Sequence, residues 1–122
     1  SSIYDGIITM FTKNAGTLYV VDGKYLSGIV SRKDFIKAMI GREEVESLPI
    51  PLIMTRMPNI IYLEPTESVY DAAYKTMYYE VESLPIVNKE IDEKGNQRLV
   101  LVGKVSRTNI TRYVVNMGEN TE

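Results

Sequence analysis

Apolar positions along this chain fall into short blocks whose period switches between helix-like and strand-like, and the switching happens twice. Ile3, Gly6, Ile7, Met10 and Phe11 share one helical face. Thr17 to Val21 and Tyr25 to Val30 are β-rich runs joined through Asp22-Gly23, a strong hairpin signal. Ser31 then opens a second helix with Phe35, Ile36 and Met39 as its apolar positions, and Gly41 closes it. Later, Val69, Ala72, Ala73 and Met77 form a face like the first. Leu84 to Val87 and Leu99 to Val105 read as strands, and Arg107 to Met117 as a last helix stopped by Gly118.

These two series are one unit written twice. Ser2-Ile3-Tyr4-Asp5 recurs at an offset of 66 as Ser68-Val69-Tyr70-Asp71, and Leu18 to Val21 recurs as Leu84 to Val87. Gly28-Ile29-Val30-Ser31-Arg32 recurs at an offset of 75 as Gly103-Lys104-Val105-Ser106-Arg107, so the second copy carries nine more residues. They fall in Asn88 to Arg98 and predict a lengthened hairpin turn around Gly95-Asn96. We place the first repeat at 1–47 and the second at 48–122. Pro58 to Leu63 reads as a further strand leading into the second copy. Its counterpart would precede Ser1, so the chain is expected to begin inside its first repeat, as a fragment of something longer. The alternative is that the first copy lacks that strand.

Composition then removes whole classes of chemistry. The chain of 122 residues contains no cysteine and no histidine. Disulfides, Ser-His and Cys-His nucleophile pairs and Cys/His zinc sites are impossible within it. No metal site and no catalytic residue is assigned, and the expectation is a binding module, not an enzyme. The lack of cysteine fits a reducing compartment. A net charge of −2 offers no basic stripe for DNA, and no apolar run is long enough to span a membrane.

The recurrent strand-to-helix junction is the informative motif. Ser31 and Asp34 stand three apart at a helix start, nearly a capping box, and Ser106 can cap in the same way. Capping alone accounts for both serines. Against it, Arg32, Lys33 and Arg107 sit in first helical turns, where a cation opposes the helix dipole at roughly 0.3–1 kcal/mol. A serine hydroxyl, helix amides and an arginine together also suit phosphate, and an aspartate one turn in suits a pair of ribose hydroxyls. Both readings stay open on the residues alone. Tyr74, Tyr78 and Tyr79 crowd one helix and read as core-edge or oligomer-interface aromatics. The acidic run Glu43, Glu44 and Glu46 reads as a solvated face.

On the helix Ser68 to Ala73, the strand Leu84-Pro85-Ile86-Val87 and the junction Gly28 to Asp34, the repeat resembles the CBS domain, and the pair resembles a Bateman module. The implied fold is α/β (α+β): tandem repeats, each a small sheet against two helices, related by pseudo-two-fold symmetry. Ser31 to Asp34, Ile53 to Ile60 and Thr108 to Arg112 further resemble the catabolite-control transcriptional repressors of Gram-positive bacteria. That resemblance implies a cytoplasmic regulator of gluconeogenic genes that senses adenine nucleotide, ATP or ADP, as regulatory ligand. It also implies a homodimer formed through the repeats, and DNA contact only through an N-terminal domain absent here. The first nucleotide site it implies joins Ile29, Ser31, Arg32 and Asp34 to Thr55, Asn59, Ile60, Val81, Glu82, Ser83 and Pro85. A second, weaker site joins Val105, Ser106, Arg107 and Asn109 to Ala15, Gly16 and Thr17, weakened because Asn109 stands where the pattern has Asp. The rival class is a dimerisation scaffold with no ligand.

Overall fold

The computed structural model describes residues 16–40 and 49–120, with side chains as far as residue 118. The chain divides into two compact units, Ser1–Ile60 and Ile61–Glu122. The expected first helix, the Gly41 stop and the Glu43–Glu46 run lie outside the described residues.

In the first unit, β1 (Thr17–Asp22) and β2 (Tyr25–Ser31) form an antiparallel hairpin, followed by α1 (Arg32–Met39) and a 3-10 turn at Ile50–Leu52. Gly23 takes a left-handed φ of +63° in the two-residue turn, a conformation glycine adopts without a Cβ clash. The core gathers Val30, Phe35, Ala38 and Ile50, with Leu18, Val20, Ile53 and Met54 packed against it. The α1 face differs from the sequence reading. Phe35 and Ala38, three apart, point inward, whereas Ile36 and Met39 are 59% and 52% exposed. An eight-residue helix can bury only a narrow stripe, and Ala38 rather than Met39 completes it.

In the second unit, α2 (Val69–Tyr78), β3 (Ser83–Ile91), β4 (Gln97–Ser106) and α3 (Arg107–Asn120) follow one another. The core is Leu63, Ala72, Leu84 and Ile110. On α2 the inward positions are Ala72 and Thr76, while Val69 and Met77 are exposed. Thr76 fills a core slot because its hydroxyl donates to the Ala73 carbonyl at 2.9 Å, and among the described residues no buried side-chain nitrogen or oxygen is left unpaired. The last helix runs through Gly118 to Asn120 instead of stopping at it.

Two further expectations are revised. Pro58 to Leu63 is not a ladder-forming strand. Only Leu63 bridges, in parallel to Ile86, with its amide donating to Pro85 O at 2.9 Å and its carbonyl accepting from Val87 N at 2.8 Å. Two residues on, Pro65 has no N–H with which to continue the ladder. The nine extra residues lengthen the turn only in part. Three extend it from two residues, 23–24, to five, 92–96, and six extend the strands, so that Asn88 to Ile91 pair with Gln97 to Val100. The Asp92 side chain closes the tip by accepting from Lys94 N and Asn96 N, each at 2.9 Å.

The duplication survives in backbone detail. Each hairpin carries a register shift at the same repeat position, Val20/Val21 and Ile86/Val87, opposite Gly28 and Gly103 respectively. The two glycines nevertheless meet different surroundings. A Cβ on Gly28 would run into Sδ of Met54, whereas one on Gly103 would make ordinary contact with Ile86 at 3.6 Å. Gly28→Ala is therefore expected to cost about 1–3 kcal/mol through overpacking, and Gly103→Ala to cost much less. Urea unfolding of the two variants checks this, and adding Met54→Ala should remove most of the Gly28→Ala penalty.

Candidate functional site

The two serine-headed junctions are built alike. In the first unit, Ser31 Oγ accepts from the Asp34 amide at 3.3 Å, and the Ser31 amide donates to Asp34 Oδ2 at 2.8 Å. The serine hydroxyl also donates to the same oxygen at 3.1 Å. The first helical amide, Arg32 N, donates to Gly16 O at 3.1 Å, and Thr17 pairs with Ser31. Ile29 and Thr55 exchange two backbone bonds of 3.0 and 2.8 Å. The structure thus brings Gly16, Thr17, Ile29, Ser31, Arg32, Asp34 and Thr55 together. Asn59 is exposed in the following turn, and Ile60 is buried.

In the second unit, Ser106 Oγ accepts from Asn109 N at 3.1 Å, and the Ser106 amide donates to Asn109 Oδ1 at 3.0 Å. Arg107 N donates to Glu82 O at 2.9 Å, and Ser83 pairs with Ser106. Glu82 and Arg107 are the repeat counterparts of Gly16 and Arg32. Val81, Glu82, Ser83, Pro85, Val105, Ser106, Arg107 and Asn109 therefore form the matching constellation. Each nucleotide site expected from sequence draws on both units. The structure shows the groupings just described, each within one unit. Ala15 lies outside the described residues.

Asn109 closes its box as Asp34 does, because the cap needs an oxygen acceptor and not a charge. The Arg32 and Asp34 amides are already engaged, by Gly16 O and Ser31 Oγ, and the Ser31 hydroxyl is turned to Asp34 Oδ2. Arg107 departs from the sequence picture. Its Nε donates to Val81 O at 3.0 Å and its Nη2 to Thr76 O at 3.4 Å. Thr76 O lies in the last turn of α2, where a cation is favoured, and Val81 O in the turn that follows, which offsets the unfavourable place of Arg107 at the start of α3. Sequence reasoning missed this latch, since nothing in the spacing of residues 76, 81 and 107 announces it.

A third box, Ser68 with Asp71, heads α2. The bonds from Ser68 hold the Asp71 carboxyl below its ordinary range. The Glu67 carboxyl is lowered as well: its partial burial pushes upward but is outweighed by the Glu64 amide and by Lys75, whose Nζ lies at 2.9 Å.

With this geometry in view, comparison with known proteins is decisive. The CBS domain family model matches residues 2–41 and 45–116. The chain belongs to the CBS-domain family. This CBS pair is 42% identical over 120 residues to the transcriptional repressor CcpN of Bacillus subtilis (strain 168). The match takes in 98% of the chain and falls in the C-terminal part of that repressor; the chain spans about half of the repressor's length, 54%. A CBS-domain protein from Burkholderia ambifaria MC40-6 superimposes with a TM-score of 0.76 at 26% identity, over 95% of this chain and 78% of its own. A CBS domain pair solved with 5'-methylthioadenosine and S-adenosyl-L-methionine gives a TM-score of 0.72 at 26% identity, over 96% of this chain and 84% of its own. The CBS pair described here thus resembles the regulatory part of a transcriptional repressor.

Acid sensitivity follows from the lowered carboxyls. A group whose folded pKa lies below its unfolded one stabilises fully at neutral pH, and that contribution is lost as pH falls through the folded value. Asp71→Asn keeps an oxygen for the cap, as Asn109 does, and deletes the titration. Its urea-unfolding stability should fall less steeply below the ordinary carboxylate range than that of the wild type. Ser68→Ala should cost about 1 kcal/mol at neutral pH.

Proposed function

We propose that this chain is a cytoplasmic adenine-nucleotide sensor, reading ATP against ADP, within a repressor of gluconeogenic genes whose DNA contacts are made outside the chain. The observation that carries the reading is the junction built twice: a serine-capped helix start with an arginine at its first position, anchored to the strand before it. Identity with a repressor and likeness to a CBS pair holding adenosine ligands support it. Ser31, Arg32 and Lys33 would meet phosphate, Asp34 the ribose, and the backbone of Asn59-Ile60 and Val81 to Ser83 the base, with Ile29, Thr55 and Pro85 lining the site. The Asn109 set, with Ala15, Gly16, Thr17, Val105, Ser106 and Arg107, would bind more weakly, because a charge-assisted hydrogen bond is about twice as strong as a neutral one. Ligand would act by binding two states of the repressor unequally. The module is regulatory and carries no catalytic role in this reading.

A scaffold reading has one observation in its favour. Tyr70, Tyr74, Met77 and Tyr78 are 77%, 56%, 69% and 66% exposed along α2, and Tyr74 and Tyr78 stack at 5.5 Å. Such a face suits a homodimer, with or without ligand.

Calorimetric titration with ATP, ADP and AMP tests the proposal. Asp34→Asn preserves the cap while removing the charge, and should weaken the tighter site about tenfold, equivalent to about 1.4 kcal/mol. Asn109→Ala should leave that site within about twofold. Absence of heat and of any thermal shift with all three nucleotides would leave the scaffold reading standing.

A further inference from the structure

We propose that Arg107 is a positioning residue for the nucleotide site and not an anion ligand: its guanidinium holds the turn that presents Val81, Glu82 and Ser83. The proposal rests on the nucleotide reading above and reassigns one of its residues. The turn between α2 and β3 is tied back to α2 by Val81 N donating to Thr76 O at 3.1 Å, the closure that commonly ends a helix. That closure demands a left-handed residue just after the helix, usually glycine. Here it is Glu80, with φ at +54°. A Cβ there opposes the conformation, so the turn needs support from elsewhere. Arg107 supplies it at three points: Nε on Val81 O, Nη2 on Thr76 O, and its own amide on Glu82 O. One residue of α3 thus fixes three consecutive features of the turn: the carbonyl that closes α2, the carbonyl of Val81 and the carbonyl of Glu82. With both contacting nitrogens of its fork aimed at carbonyls, the guanidinium is turned toward its own backbone. In the nucleotide reading the residues it holds serve the same site as Asp34, although Arg107 stands in the junction that contains Asn109. Affinity at the first site then depends on a side chain that need not touch the ligand.

Four variants of the whole 122-residue chain decide the matter: Arg107→Ala, Arg107→Lys, Glu80→Gly, and Glu80→Gly combined with Arg107→Ala. ATP affinity is measured by calorimetry, and backbone amide exchange at Val81 by NMR. Arg107→Ala should weaken ATP at least tenfold and speed Val81 exchange. Arg107→Lys should do nearly the same, because an ammonium cannot reproduce the Nε and Nη2 fork. Glu80→Gly alone should leave affinity within twofold, and in the double variant it should recover most of the loss by removing the Cβ that opposes the turn. Wild-type affinity in Arg107→Lys alongside a loss in Arg107→Ala would show that charge alone matters and overturn the proposal. So would a double variant that fails to recover. If the wild type binds no nucleotide, the functional reading has failed. Val81 exchange then still decides the latch: unaltered exchange in Arg107→Ala overturns it.

Discussion

A helix begins with amide groups that its own turns cannot satisfy, and in this chain the way those amides are met organises everything around them. Arg32 N and Arg107 N reach back to the carbonyls of Gly16 and Glu82, so each helix is fastened to the residue that precedes the first strand of its own hairpin. The serine boxes meet the next donors. Strand, junction and helix are thereby locked as one piece, and the polar side chains gathered there sit on a fixed frame. Loss of that anchorage would free the helix start and scatter the residues on which the nucleotide reading depends.

Much of this was legible in the sequence because duplication prints the same pattern twice. The offsets that align Ser31 with Ser106 and Leu18 with Leu84 also align the two anchoring carbonyls and the two register shifts. Where the reading failed, tertiary detail outweighed local pattern. Ile60 and Ile61 look like strand residues, yet only Leu63 bridges: Pro85 has no N–H to offer the Ile61 carbonyl, and Pro65 has none to carry the ladder onward. Ile36, Met39 and Met77 look like core residues, yet Ala38 and Thr76 take the inward slots, and a threonine reveals its suitability only through the carbonyl it bonds. Asn88 to Arg98 look like a polar turn because alternate residues of a projecting hairpin face water on both sides. The Arg107 latch joins positions far apart in the chain, and no spacing rule reaches that far.

The two copies have diverged in charge and packing more than in backbone. Asn109 keeps the cap of Asp34 without its charge, and Gly103 keeps the bulge position of Gly28 without a methionine pressed on it. Duplicated frames of this kind can change one site while leaving the other's architecture intact. Under the nucleotide reading, that is the physical opening through which a pair of equal sites would become a stronger and a weaker one.

The register shift between Ile86 and Val87 marks where the second hairpin leaves the shared frame. Val87 still faces Leu101 as Val21 faces Leu26, and all nine additional residues lie beyond that pair. The arm is an appendix to the repeat. Its tip beyond Ile91 could be trimmed, or replaced by a reporter peptide, with the junction hydrogen bonds left in place, whereas Lys89, 3.8 Å from Glu64, and the buried Leu99 tie its base to the second unit.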